Sequence, residues 1–214
     1  QCSTYQKVSE KLSTGLYIHG NNRSEEVDNN DDGFLDVPLS TQINVQNRWQ
    51  YQNPEKGWVS FLNVRFLSDE KQVGETNFNP DNDRFTMNAW GSEIDTKRFA
   101  SSLKLGYVFP ELPFQSFGFQ ASYSKHQQDS YYGLNVYDID HTSMYSNLVF
   151  NSIIANTKSK FKTGLTAAYD GYVELVNTQN FERIDRSLGA FFEYSYDDLE
   201  KISLTAGIRF DSHN

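Results

Sequence analysis

The chain has 214 residues and a formal net charge of −9, with 37% hydrophobic and 15% aromatic residues. This acidic balance argues against a nucleic-acid partner, because binding to a phosphate backbone requires clustered Lys and Arg. No apolar run exceeds three residues, which excludes a transmembrane helix of about 20 apolar residues. The single cysteine, Cys2, excludes an intrachain disulfide framework.

Alternation of apolar and polar residues is the dominant pattern along the chain. In the stretch 41–51, Ile43, Val45 and Trp49 share one parity, whereas the intervening residues are Gln, Asn and Arg. Successive side chains of a strand point to opposite faces, so this period predicts a β-strand with one apolar and one polar face. Asn47 is the one misfit on the apolar side between Ile43 and Tyr51.

The same pattern recurs along the chain and predicts an all-β protein. Nine strands are predicted at 12–20, 41–51, 58–67, 98–109, 115–125, 143–154, 160–170, 187–196 and 202–210, with part of a further strand at 1–5. Short connections at 52–57, 110–114, 155–159 and 197–201 alternate with long ones at 21–40, 68–97, 126–142 and 171–186. Short turns on one side and long loops on the other are typical of outer-membrane barrels.

Aromatic residues flank all four predicted short turns on the apolar face of their strands. They are Trp49, Tyr51, Trp58, Tyr107, Phe109, Phe117, Phe150, Phe161, Tyr194 and Tyr196. Amphipathic rings settle at the membrane interface, so the repetition predicts an aromatic girdle. The opposite face carries amides, hydroxyls and a few charges, as a polar lumen does.

These features predict an antiparallel transmembrane β-barrel in the outer membrane, in contact with its lipid. Bacterial single-chain barrels have even strand numbers and must close, so nine strands plus a truncated one at 1–5 are not expected to make a self-contained barrel. We therefore expect residues 1–214 to be part of a single, larger barrel domain. No signal peptide is recognised, because the chain begins without a charged segment followed by an apolar one.

An acidic loop at 28–36 has the spacing of a calcium site. Its candidate ligands are Asp28, Asn30, Asp32, the carbonyl of Phe34, and Asp36, with Gly33 at the bend. Alternate oxygen donors around a glycine are typical of calcium loops. The twelfth position is Leu39, so the bidentate Glu of an EF-hand is missing and the pattern is closer to thrombospondin-type or dockerin-like repeats. The alternative is a solvated loop whose Asn and Asp residues favour turns.

Catalytic patterns are weak, and we predict that the chain is not an enzyme. His141 and Ser143 share a strand face, an arrangement that resembles outer-membrane phospholipases. The alternative is an ordinary strand entry at the base of a loop, which we favour. No phosphate-binding glycine motif is present.

Several short stretches resemble the barrel of TonB-dependent outer-membrane receptors. They are 33–39 (GFLDVPL), 47–51 (NRWQY), 106–110 (GYVFP), 115–120 (QSFGFQ) and 204–209 (LTAGIR). The resemblance implies a barrel of about 22 strands, closed by an N-terminal plug that is not present here. It also implies active import of a metal chelate, cobalamin or an oligosaccharide, driven by the TonB complex through an N-terminal region that this sequence does not contain.

Ligand binding in such a receptor is expected in the long loops. Trp90, Tyr131 and Tyr132 are the candidate ligand-stacking residues. Two alternatives stay open: a passive porin-like channel with the same barrel pattern, and a soluble cell-surface β-sandwich or adhesin that uses the alternation to build a core. The aromatic girdle argues against the second alternative.

Overall fold

The computed structural model describes residues 1–214 and consists almost entirely of β-strands. The ten strands are β1 (Cys2–Lys7), β2 (Leu12–Arg23), β3 (Leu39–Asn53), β4 (Trp58–Gly74), β5 (Gly91–Phe109), β6 (Leu112–Tyr132), β7 (Asn135–Ile154), β8 (Asn156–Val176), β9 (Gln179–Asp197) and β10 (Ser203–His213). A 3-10 turn at Pro54–Lys56 and a helix α1 at Pro80–Asp83 complete the elements. Neither is long and apolar enough to cross a membrane.

Each strand pairs with its neighbours in the chain, and the result is one antiparallel meander in the order β1 to β10. The all-β prediction is confirmed, and so is every predicted strand. β1 pairs only with β2 and β10 only with β9, so the sheet is open. Closure into a barrel is therefore not shown by these ten strands.

The register separates the sheet into two faces. The apolar face is defined by Leu62, Val64 and Phe66 of β4, and the polar face by Asn63 and Arg65 of the same strand. No second layer covers either face, and only 11 of 214 residues are buried. This arrangement differs from a β-sandwich, whose core lies between two packed sheets.

Two rows of aromatic rings cross the apolar face. The turn-side row runs through Trp58, Tyr107, Phe109, Phe117, Phe150, Phe161 and Phe192, with neighbouring centroids 4.6 to 6.0 Å apart. The loop-side row contains Phe66, Phe99, Tyr123 and Tyr169, and Phe99 and Tyr123 are 6.2 Å apart. The predicted clustering of aromatics at the short turns is confirmed.

An apolar belt lies between the two rows. On β4 it runs from Trp58 to Phe66, which corresponds to roughly 26 Å of strand at about 3.3 Å per residue. Its central side chains, such as Leu62, Leu148 and Leu165, are exposed. Beyond the loop-side row, the same face carries Lys97 and Lys125, so the belt ends where charges begin.

The predicted long loops are much shorter in the structure. The connections 126–142 and 171–186 were expected as loops, but β6 and β7 are separated only by Gly133 and Leu134, and β8 and β9 only by Asn177 and Thr178. Gly133 and Asn177 have φ values of 60° and 55°, as tight hairpin turns require. The other two predicted loops shrink to 24–38 and 75–90.

Candidate functional site

The two remaining long loops dock against each other beyond the belt. The backbone N–H of Leu35 donates to the carbonyl of Gly74 at 2.9 Å, and that of Thr76 donates to the carbonyl of Gly33 at 2.9 Å. Phe34 also forms an isolated bridge with Glu75. The loops 24–38 and 75–90 therefore form one surface, which we call the loop-end surface.

A small core anchors loop 75–90 to the sheet. Phe78, Ala89 and Tyr131 are its buried hydrophobic residues. Phe78 lies so close to Gly91 that a Cβ on that glycine would come within 2.2 Å of the ring. The missing side chain at Gly91 thus allows the loop to approach the start of β5.

Tyr131 belongs to this core. Its side chain is 2% exposed, and its hydroxyl donates to Glu93 at 2.8 Å. Phe85 packs at 5.1 Å from its ring centroid, and the Arg84 guanidinium lies 4.7 Å above the ring. Burial and the Glu93 carboxylate raise the pKa of the Tyr131 phenol well above its usual value. Protein contacts cover nearly all of the ring, and ligand binding by Tyr131 stays a prediction.

We expect Tyr131→Phe to change how stability depends on alkaline pH. Because the folded-state pKa of Tyr131 is raised, its contribution is present below the unfolded-state value of about 10 and is lost as pH rises above it. Thermal unfolding measured between pH 8.5 and 11.5 should therefore show a flatter decline in the variant. Tyr132→Phe is the matched control, because the Tyr132 hydroxyl makes no hydrogen bond. Identical curves for wild type and Tyr131→Phe would contradict the role of the phenol.

Trp90 and Tyr132 are placed differently from Tyr131. Both are partly exposed, at 45% and 39%, and Phe34 at 44% lies 6.4 Å from Trp90 between ring centroids. The Trp90 indole packs over Gly133, the residue after Tyr132, where a Cβ would come within 2.8 Å of Nε1. Since Tyr131 and Tyr132 are consecutive strand residues, they point to opposite faces. The structure therefore groups Trp90 with Phe34 and Gly133, and separates Tyr131 from Tyr132.

A cleft of about 620 Å³ opens beside this surface. Its charged lining residues are Arg23, Lys71, Arg84, Glu70, Glu93, Asp95, Asp129 and Asp138. Phe85 and Tyr131 are its aromatic lining residues. Aromatic side chains together with a few polar groups are typical of ligand sites. Arg84 was missed by sequence reasoning, because nothing in the sequence places it over Tyr131 and Phe85.

The candidate calcium loop uses its carboxylates to hold its own backbone. Asp28 accepts hydrogen bonds from the N–H groups of Asp32 and Gly33 at 3.2 and 2.9 Å. Asp36 accepts from the backbone and side-chain nitrogens of Asn29, both at 2.8 Å. No group of three or more His, Cys, Asp or Glu side chains is arranged to hold a metal ion. Calcium binding through Asp28, Asn30, Asp32, Phe34 and Asp36 stays a prediction.

His141 has a partner that sequence reasoning missed. Its Nε2 lies 3.0 Å from Asp170 Oδ1, and its ring stacks on Tyr172 at 4.1 Å. Ser143 lies opposite Asp170 in the register, yet it forms no hydrogen bond with His141. A nucleophilic serine needs a base within hydrogen-bond reach, so this arrangement lacks the activating contact. The absence of enzymatic activity stays a prediction.

Comparisons with known proteins found no matching family model, no matching curated protein and no matching solved structure.

Proposed function

We propose that this chain forms part of an outer-membrane β-barrel receptor that imports a scarce small-molecule nutrient. The observation that carries the proposal is the apolar belt between two aromatic rows. Large side chains such as Leu148 and Leu165 are exposed within it. From Trp58 to Phe66 the belt spans nine residues of β4, which is within the roughly 9–11 residues of a tilted transmembrane β-strand. Lipid is the medium that such a belt fits.

The polar face supports the same proposal as the wall of a lumen. Side-chain amides and a guanidinium are bonded across strands, from Gln46 to Asn63 at 2.8 Å and from Arg65 to Asn44 at 3.0 Å. In lipid the free edges of β1 and β10 must find partner strands, because unpaired edges are not tolerated there.

The receptor function, rather than a passive channel, is supported by the loop-end surface. Trp90 and Phe34 are partly exposed on this surface, and Arg84, Phe85 and Tyr131 line a cleft with charged walls. Aromatic and charged groups of this kind suit the capture of a metal chelate, cobalamin or an oligosaccharide. Energy coupling through TonB follows from the resemblance alone. The porin-like channel is the alternative proposal.

Fractionation of cells that express the whole protein tests the membrane part. We expect the protein in the outer-membrane fraction, with a folded form that migrates faster than its heated form in detergent gels. A protein that stays soluble without detergent would contradict the proposal.

Growth on a ferric chelate, cobalamin or an oligosaccharide as the limiting nutrient, with and without TonB, tests the receptor part. Growth that requires the protein but not TonB would indicate a passive channel.

A further inference from the structure

The polar face of β2–β6 is strongly basic, although the whole chain has a net charge of −9. The register places six basic side chains there: Arg23, Arg48, Arg65, Lys71, Arg98 and Lys104. Asp69 is the only carboxylate on this part of the face, and it pairs with Lys71 at 2.7 Å. The other acidic residues of the chain therefore lie outside this part of the polar face.

The polar face of β7–β10 differs, because its charges are largely compensated. Four ion pairs lie there: His141 with Asp170 at 3.0 Å, Lys162 with Glu193 at 3.5 Å, Arg183 with Asp185 at 2.9 Å, and Arg209 with Asp211 at 2.7 Å. The same face thus has a basic half, in which only Lys71 is ion-paired, and an ion-paired half. The strands of both halves have the same alternation of apolar and polar residues, so this alternation does not explain why the charges are paired in only one half.

Three arginines form a diagonal stripe in the basic half. Arg48 of β3 lies opposite Asn63, two residues from Arg65; Arg65 lies opposite Ala100, two residues from Arg98. Diagonal neighbours of this kind are about 7–8 Å apart between Cα atoms. We call Arg48, Arg65 and Arg98 the arginine stripe.

The stripe is held in place by neutral partners. Arg65 Nε donates to Asn44 at 3.0 Å, and the Arg48 guanidinium lies 5.5 Å from the Phe61 ring centroid. None of the three arginines forms a salt bridge, and both Arg48 and Arg98 are exposed. Repulsion between nearby like charges destabilises a sheet, and an anion placed between the guanidinium groups would relieve it.

We propose that the arginine stripe binds a small ligand that carries two or more carboxylate or phosphate groups. Guanidinium groups bind both anions through paired hydrogen bonds. Spacing along the diagonal favours a ligand with more than one anionic group over a single ion. Hydroxyls of Ser102 and Ser124, which share rungs with Arg48 and Arg65, add neutral donors on the next strands. The inference rests on the polar face and not on membrane insertion.

Calorimetric titration of the purified whole protein with citrate and with pyrophosphate tests the proposal. We expect binding that weakens as salt rises, and a loss of about tenfold or more in affinity for each of Arg48→Gln, Arg65→Gln and Arg98→Gln, since hydrogen bonds to charged groups are lost. Arg183→Gln and Arg209→Gln remove the same charge from the ion-paired half and are the matched controls, with an expected change below about twofold.

Two results would overturn the proposal. One is the absence of binding for both anions in the wild-type protein, which is the result expected if the stripe instead contacts an acidic protein segment. The other is an equal loss in the stripe variants and the controls, which would indicate a general effect of net charge. Circular dichroism of each variant establishes that it has folded. Fractionation of the same protein measures its membrane location, so a failure of anion binding can be distinguished from a failure of the membrane proposal.

Discussion

Replacing Leu148 with Arg is expected to prevent stable insertion of the protein into the outer membrane. Leu148 lies within the belt of the apolar face, between Phe119 and Leu165 of the neighbouring strands, and is exposed. A charged side chain on the lipid face of a barrel costs about 2–4 kcal/mol near the bilayer midplane. That cost is a large fraction of the stability of an ordinary domain.

Asn147→Arg is the matched control at the same depth. Asn147 belongs to the polar face, between Gln120 and Thr166, and its side-chain oxygen is buried without a hydrogen-bond partner, so its replacement removes no hydrogen bond made by that oxygen. The amount of heat-modifiable protein in outer-membrane fractions measures both variants. Equal loss in both, or normal assembly of Leu148→Arg, would contradict the assignment of the apolar face to lipid.

Gly57→Ala is expected to destabilise the turn between β3 and β4 by about 2–5 kcal/mol. Gly57 has a φ of 73°, which L-residues with a Cβ adopt at a cost. A Cβ there would also come within 1.8 Å of the Val108 carbonyl oxygen. That carbonyl is backbone and cannot move aside like a flexible side chain, because the Val108 N–H is bonded to Gly57 at 2.8 Å.

Gly33→Ala separates the two causes of destabilisation, which are backbone strain at positive φ and the clash of the added Cβ. Gly33 has a φ of 82°, but no atom lies within 4 Å of a Cβ placed there, so this change adds strain of about 1–2 kcal/mol without a clash. Denaturant unfolding of both variants measures the difference between their free energies of unfolding. A Gly57→Ala variant no less stable than Gly33→Ala would show that the turn relaxes around the added methyl group.

The strands were predictable because alternation with a period of two is a local property. Residues such as Ile43, Val45 and Trp49 identify both a strand and its apolar face without any knowledge of its partners. Their neighbours in the sheet also followed, since short turns join consecutive antiparallel strands. The antiparallel all-β sheet predicted from the alternation is the one that the structure has.

The lengths of the strands were not predictable in the same way. Beyond the belt, the sheet faces are both polar or mixed, so the alternation fades although pairing continues to Tyr132 and Val176. Stretches such as 126–132 and 171–176 contain His, Gln, Asp and Glu, which are typical of loops. Pairing between long strands with few apolar residues is a property of two segments together.

The contacts and burial of the site residues depend on the register between strands, which cannot be read directly from the sequence. Tyr131 and Tyr132 look equivalent as an exposed aromatic pair, yet one is buried against Phe85 and the other is partly exposed. Asp170 is 29 residues from His141 and meets it only through the β7–β8 pairing. The arginine stripe likewise appears only when three strands are aligned.

The β6–β7 hairpin extends nine residues past Tyr123, roughly 30 Å at about 3.3 Å per residue. Its strands keep one face pattern along this whole length, so a single inserted or deleted residue would exchange the side chains of the two sheet faces for the entire tip. Changes of two residues would preserve the pattern. Natural length variation in this hairpin should therefore occur in even steps, and the tip can lengthen or shorten during evolution only by adding or removing complete rungs.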